Sequence, residues 1–191
     1  LKEVKRIFRY LRGTVNMGLW YTKDSSFELT GFSDADYAGC KDSFKSSFGG
    51  AQFLGEKLVS WSSKKQDCTT LSIAKAEYVS SSAFFLWMQT QLTDYGFFFK
   101  KIPIYCDSKS AIAISCNSVQ HSRTKHITVR YHFIKEHVEK GTIELYFVKT
   151  DYQLAAIFTK ALPINRFNYL VRRFGMCSLS PKELERLAKS L

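Results

Sequence analysis

The run GGAQFLGEKLVSWSSKK, residues 49 to 65, constrains the fold more than any other stretch. Two β-rich segments flank Gly55-Glu56-Lys57, which is the pattern of a hairpin. A strand precedes it in FELTGFSDADYAG, with Phe27, Leu29 and Phe32 as expected core positions. After Thr70 the pattern turns helical, and LSIAKAEYVSSSAFFLWMQTQLTDYG runs with few breakers to a stop at Gly96. KIPIYCD then reads as a short apolar strand, and SKSAIAIS as a small-residue helix capped by Ser108 or Asp107. RYHFIKEHVEK is a further helix ended by Gly141, and TIELYFVK a further strand. TDYQLAAIFTK starts a short helix, Pro163 punctuates, and Ser180 with Pro181 opens a last one as N-cap and first position. This order predicts an α/β domain: a five-stranded mixed sheet flanked by helices, antiparallel at one side and parallel at the other.

With 191 residues, 45% of them hydrophobic, the chain is long enough for one domain with extensions. No apolar run approaches the roughly 18 residues of a membrane span, so no membrane association is expected. The five cysteines are odd in number and contain no C-x-x-C, which fits reduced, mostly buried thiols in an intracellular protein. Lysine and arginine total 28 against 17 acids, a balance of +11. That excess favours a polyanionic partner, nucleic acid first and an anionic membrane a distant second. At the front, Val4, Ile7, Phe8 and Leu11 lie at helical spacing among Lys2, Lys5, Arg6, Arg9 and Arg12. The segment has no signal-peptide cleavage site, and without a starting methionine the chain reads as part of a longer polypeptide.

Three acids stand beside apolar runs. Asp34 and Asp107 each end a strand, and Glu77 lies in the first turns of the long helix among Ile73, Ala76 and Val79. Burying a carboxylate is costly unless it is paired or holds a metal, and ligands gather at the carboxyl ends of strands in open α/β sheets. Three converging carboxylates suit Mg²⁺, and two ions about 4 Å apart can clamp the attacking and leaving oxygens of a phosphodiester. Taken singly, each acid also fits a turn cap or a solvated strand end.

The runs GFSDADYAG, LVSWSSKKQ, LSIAKAEY, IYCDSKSAI, HSRTKHITVRYHFI and LAAIFTK, in order over about residues 1 to 176, resemble the ribonuclease H domain of copia-type LTR retrotransposon Pol polyproteins. The leading KRIFRYLRGT with GLWY resembles the end of the adjoining reverse transcriptase region. The resemblance implies a ribonuclease H-like fold in residues 27–162, a reverse transcriptase or connection remnant in 1–26 and a C-terminal helical extension in 163–191. It also implies hydrolysis of the RNA strand of RNA–DNA hybrids by two Mg²⁺ or Mn²⁺ ions on an Asp-Glu-Asp-Asp set. Carried over by position, that set is Asp34, Glu77 and Asp107, with the fourth acid replaced by Ala156. Lys75, Ala161 and Phe44 are further departures from the family pattern.

Without the fourth acid one of the two ions is expected to be weakly held and cleavage severely impaired. Asp151 would stand about 140° around a helix from position 156, and Asp36 some 6–7 Å along the strand from Asp34, so neither is a ready substitute. The pattern fits a decayed element copy, a domain kept by a host, or a deliberate inactivation. Grip on nucleic acid is expected from Lys64, Lys65, Arg123, Lys125 and Arg130, with hydroxyl contacts from Ser62, Ser63, Thr69, Ser108 and Ser122. His121 and His126 lack metal-ligand company and fit phosphate contacts or structural hydrogen bonds. The alternatives to an impaired nuclease are a silent nucleic-acid-binding module and a protein-interaction module built on the N-terminal and 181–191 helices.

Overall fold

Helix α1 (Lys2–Gly13) and the short strand β1 (Met17–Leu19) precede a five-stranded sheet. The sheet is built from β2 (Leu29–Asp36), β3 (Ser47–Leu54), β4 (Lys57–Lys65), β5 (Ile102–Cys106) and β6 (Ile143–Phe147), in the order β4-β3-β2-β5-β6. The computed structural model describes residues 1–21, 26–36, 45–65, 86–116 and 135–189. The expected hairpin is β3 with β4, turning at Gly55, whose φ of 60° is in the left-handed region. β2 and β3 also pair antiparallel, whereas β2–β5 and β5–β6 are parallel, giving the mixed sheet that the order of elements implied.

Side chains alternate across β2, so its residues serve two different cores. On one face, Leu29 packs with Ile102, Ile104 and Ile143 beneath Leu86, Met88 and Leu92 of α2 (residues 86–94) and Val138 of α4 (residues 135–139). On the other, Phe32 meets Phe53 edge-on and packs with Ala51, Leu154, Leu170 and Phe174. Leu170 and Phe174 come from α5 (Ile164–Arg173) and the residue that follows it, and full burial of a side chain of that size contributes about 1.5–3 kcal/mol. The segment after Pro163 therefore supplies core residues to the sheet. Between β5 and β6, α3 (Lys109–Cys116) begins with the Ala111 amide donating to Ser108 Oγ at 3.2 Å, so Ser108 is the cap. α6 (Pro181–Lys189) is capped in the same way by Ser180, which accepts from the Glu183 amide.

Several sequence expectations need correction. Phe27 is 49% exposed and stacks on Phe97 at 4.3 Å instead of entering the core. Cys106 is buried, but Cys177 is exposed. β1 pairs antiparallel with β7 (Met176–Ser178), a small second sheet tying the front of the chain to its end; strands this short carry no readable alternation. α1 has the expected apolar stripe, yet none of its residues is buried. Among the described residues, no helix is long and apolar enough to cross a membrane.

One glycine sets how closely the layers approach. Gly49 stands opposite Asp34 in the β2–β3 register. A Cβ there would lie 2.7 Å from Thr159 Cγ2 and 2.8 Å from the Ala155 carbonyl oxygen. The second of these is backbone and cannot swing aside. Gly49→Ala is expected to cost about 1–3 kcal/mol through overpacking, read as a lower urea midpoint; an unchanged midpoint would show that the contact is slack.

Candidate active site

Asp34 lies near the end of β2 and is 1% exposed. Ser33 pairs with Cys106 in the parallel β2–β5 register, so Asp34 and Asp107 are the next residues along neighbouring strands, which stand about 4.8 Å apart. Asp107 Oδ1 is buried and has no hydrogen-bond partner. Burial first, and the nearby Asp34 charge second, hold the Asp107 carboxyl above its ordinary range, with the Thr150 hydroxyl and the Lys160 charge opposing them.

The segment after β6 closes over this acid pair. It forms two 3₁₀ turns, Thr150–Tyr152 and Leu154–Phe158, where the sequence pattern suggested a short helix. The turns are joined by Gln153, which is fully buried. Its Nε2 donates to the Ser33 carbonyl at 2.8 Å and the Tyr105 carbonyl at 3.4 Å, while its Oε1 accepts from the Ala155 amide at 3.2 Å. One side chain thus fastens the turn to both acid-bearing strands. Arg166 of α5 adds a second tether by donating to the Thr150 carbonyl at 3.0 Å.

With the turn held there, Thr159 Oγ1 donates to Asp34 Oδ2, and Lys160 Nζ stands 3.3 Å from the same oxygen. Thr159 Oγ1 is also 3.1 Å from the Ala156 carbonyl oxygen, so position 156 lies one hydroxyl away from Asp34. Ala156 is 2% exposed, and its methyl has no donor to offer. Asp151 is exposed in the first turn and Asp36 is half-buried at the end of β2.

Of the expected site residues, the structure brings together Asp34, Asp107 and Ala156. Glu77 lies outside the described residues, as do Ser122, Arg123, Lys125 and Arg130, together with Thr69, His121 and His126. Lys64 and Lys65 are exposed at the end of β4, in line through Phe48 and Ser47 with the last residues of β2, hence at the same end of the sheet as Asp34. Ser62 is half-buried, Ser63 donates to the Phe158 carbonyl at 2.7 Å, and Ser108 is engaged as the α3 cap. His137 makes a structural hydrogen bond to Thr142 at 2.9 Å. Sequence reasoning missed Gln153, Thr159 and Lys160; the one signal was a polar Gln heading an otherwise apolar run.

A buried carboxylate beside a half-buried one whose Oδ1 is shielded and unpartnered has the donor chemistry of a hard divalent cation. Among the described residues no third acid, histidine or cysteine joins them. This donor set fits one ion, and position 156 adds nothing for a second.

No family model matches the chain. It is 40% identical over 185 residues to the retrovirus-related Pol polyprotein from transposon RE1 of Arabidopsis thaliana, covering 95% of this chain and 13% of that protein. It is 39% identical over 180 residues to the corresponding polyprotein from transposon TNT 1-94 of Nicotiana tabacum, covering 93% of this chain and 14% of that one. The chain therefore spans about an eighth of the length of these relatives. In fold, it matches the N-terminal RNase H domain of a Mycobacterium tuberculosis protein with a TM-score of 0.52 at 13% identity, covering 77% of this chain and 98% of that domain. LC11-RNase H1, solved in complex with an RNA/DNA hybrid, matches with a TM-score of 0.50 at 12% identity, covering 69% and 94%.

The raised Asp107 carboxyl makes stability depend on pH. A group that holds its proton more tightly folded than unfolded contributes fully below its unfolded value and loses that contribution as pH rises through the folded one. In metal-free buffer, Asp107→Asn is expected to be more stable than the parent at pH 7, with the advantage vanishing below the ordinary aspartate value of 3.8. Thermal unfolding in chelator at both pH values checks this; a variant less stable than the parent at pH 7 contradicts it.

Proposed function

The chain belongs with the Pol polyproteins of copia-type transposons and has a ribonuclease H-like fold, and on that premise we propose that it descends from a nuclease cutting the RNA strand of RNA–DNA hybrids and now cuts poorly or not at all. The observation that carries this reading is the pair Asp34 and Asp107 at the ends of adjoining parallel strands, with a buried alanine in the turn beside them. A bound Mg²⁺ or Mn²⁺ would supply Lewis-acid stabilisation of the phosphodiester as charge develops. Asp34 and Asp107 would hold it, with Glu77 as the third carboxylate.

The chain's own groups define what remains. Thr159 orients the Asp34 carboxylate by donating to it. Gln153 keeps the two strand ends and the turn in one arrangement. Lys64 and Lys65 offer exposed positive charge at the same end of the sheet, suited to phosphate contacts that position a hybrid. Ala156 cannot hold or orient a water-bearing ion. Losing a group that acts on developing charge typically costs about 10²–10³ in rate.

Cleavage of a labelled RNA–DNA hybrid in Mg²⁺ and in Mn²⁺, comparing the parent with Ala156→Asp, tests the reading. Because position 156 is buried, folding of the variant is verified by circular dichroism. A folded variant at least about 100-fold faster than the parent is the expected result. A parent as fast as the variant overturns the assignment of position 156.

A second reading, grip on nucleic acid without cleavage, is favoured by the +11 charge together with the same alanine. It gains over the first if neither chain cuts while both bind hybrid with a steep salt dependence.

A further inference from the structure

Asp34 is a carboxylate almost wholly removed from water, with a second acid beside it. An uncompensated charge in such a place is strongly destabilising. Among the described residues, Lys160 is the cation within ion-pair reach of Asp34, at 3.3 Å from Oδ2 and 3.4 Å from Oδ1. Its position follows from the Gln153-anchored turn, since Thr159 and Lys160 both come off the end of the Leu154–Phe158 segment. The Lys160 side chain is one-third exposed, so its flexible stem leads back to solvent. The ammonium is therefore docked on the acid but not enclosed by the fold.

We infer that Lys160 is a resident counter-cation: its ammonium neutralises Asp34 when no metal is bound, and a divalent cation must displace it to use that carboxylate. The inference rests on the reading of Asp34 and Asp107 as metal ligands. Position 156 sharpens it. An acid there would lie in the turn that Thr159 links to Asp34 and would offer the ammonium another partner; with alanine in place, Asp34 keeps the lysine. The chain has thus lost one ligand and, by the same change, tightened the internal competitor for another. The structure is stabilised without metal at the expense of metal affinity.

The test uses Mn²⁺ alone, with no nucleic acid. Binding is followed by calorimetry and stability by thermal unfolding in chelator, for the parent, Lys160→Met and Lys160→Arg. Lys160→Met keeps most of the apolar stem and removes the charge. It is expected to melt several degrees lower in chelator and to bind Mn²⁺ about tenfold tighter or more, while Lys160→Arg stays close to the parent in both. A Lys160→Met chain that folds only with Mn²⁺ present supports the inference as well. Equal Mn²⁺ affinity and equal melting in parent and Lys160→Met overturn it while leaving the metal site standing. If neither chain takes up Mn²⁺, the metal-site reading falls and the inference falls with it.

Discussion

The buried amide of Gln153 is the contact on which the site depends. A primary amide taken out of water is costly unless its hydrogen bonds are replaced, and here the fold replaces them with the Ser33 and Tyr105 carbonyls and the Ala155 amide. Those partners belong to the strand before Asp34, the strand before Asp107 and the turn containing Ala156. A single side chain therefore joins the three pieces of backbone that present the site. Removing it would take this partner from the two strand carbonyls and the Ala155 amide, at about 1–3 kcal/mol for any group left unsatisfied. Thr159 and Lys160 reach Asp34 because this joint fixes where their segment begins.

Small residues make the joint possible. Gly49 lets the turn approach β3 within van der Waals contact, and Ala155 and Ala156 lie fully beneath it. Ala156 is therefore well tolerated by packing even though it is the wrong residue for ligating an ion. An alanine at position 156 and an intact fold are compatible because Gln153 and apolar contacts hold the turn. The same reasoning explains why Lys160 matters: the Asp34 carboxylate must be compensated whether or not an ion arrives.

Much of this was legible in the sequence, for physical reasons that can be named. The β3–β4 hairpin declared itself through two β-rich runs around Gly55, and Asp34 and Asp107 stood out as acids closing apolar strands. Leu29 and Phe32 were recognisable as core residues, although only the structure shows that they serve opposite faces. Phe27 misled because hydrophobicity alone does not place a residue inside; it finds cover by stacking on Phe97 at the surface. β1 and β7 were invisible because three residues are too few for alternation to register. Gln153 and Lys160 were missed because their roles come from tertiary approach: Gln153 bonds to a carbonyl 120 positions away and Lys160 pairs with an acid 126 positions away.

On the proposed reading, the acid pair offers a place for one divalent ion and Ala156 offers none for a second. Crystals of the parent chain soaked in manganese chloride, with diffraction recorded for the anomalous signal of manganese, test it most directly. One ion is expected on Asp34 and Asp107, with no second ion facing Ala156. Two well-occupied ions in the parent, or none on the acid pair at saturating manganese, would contradict it.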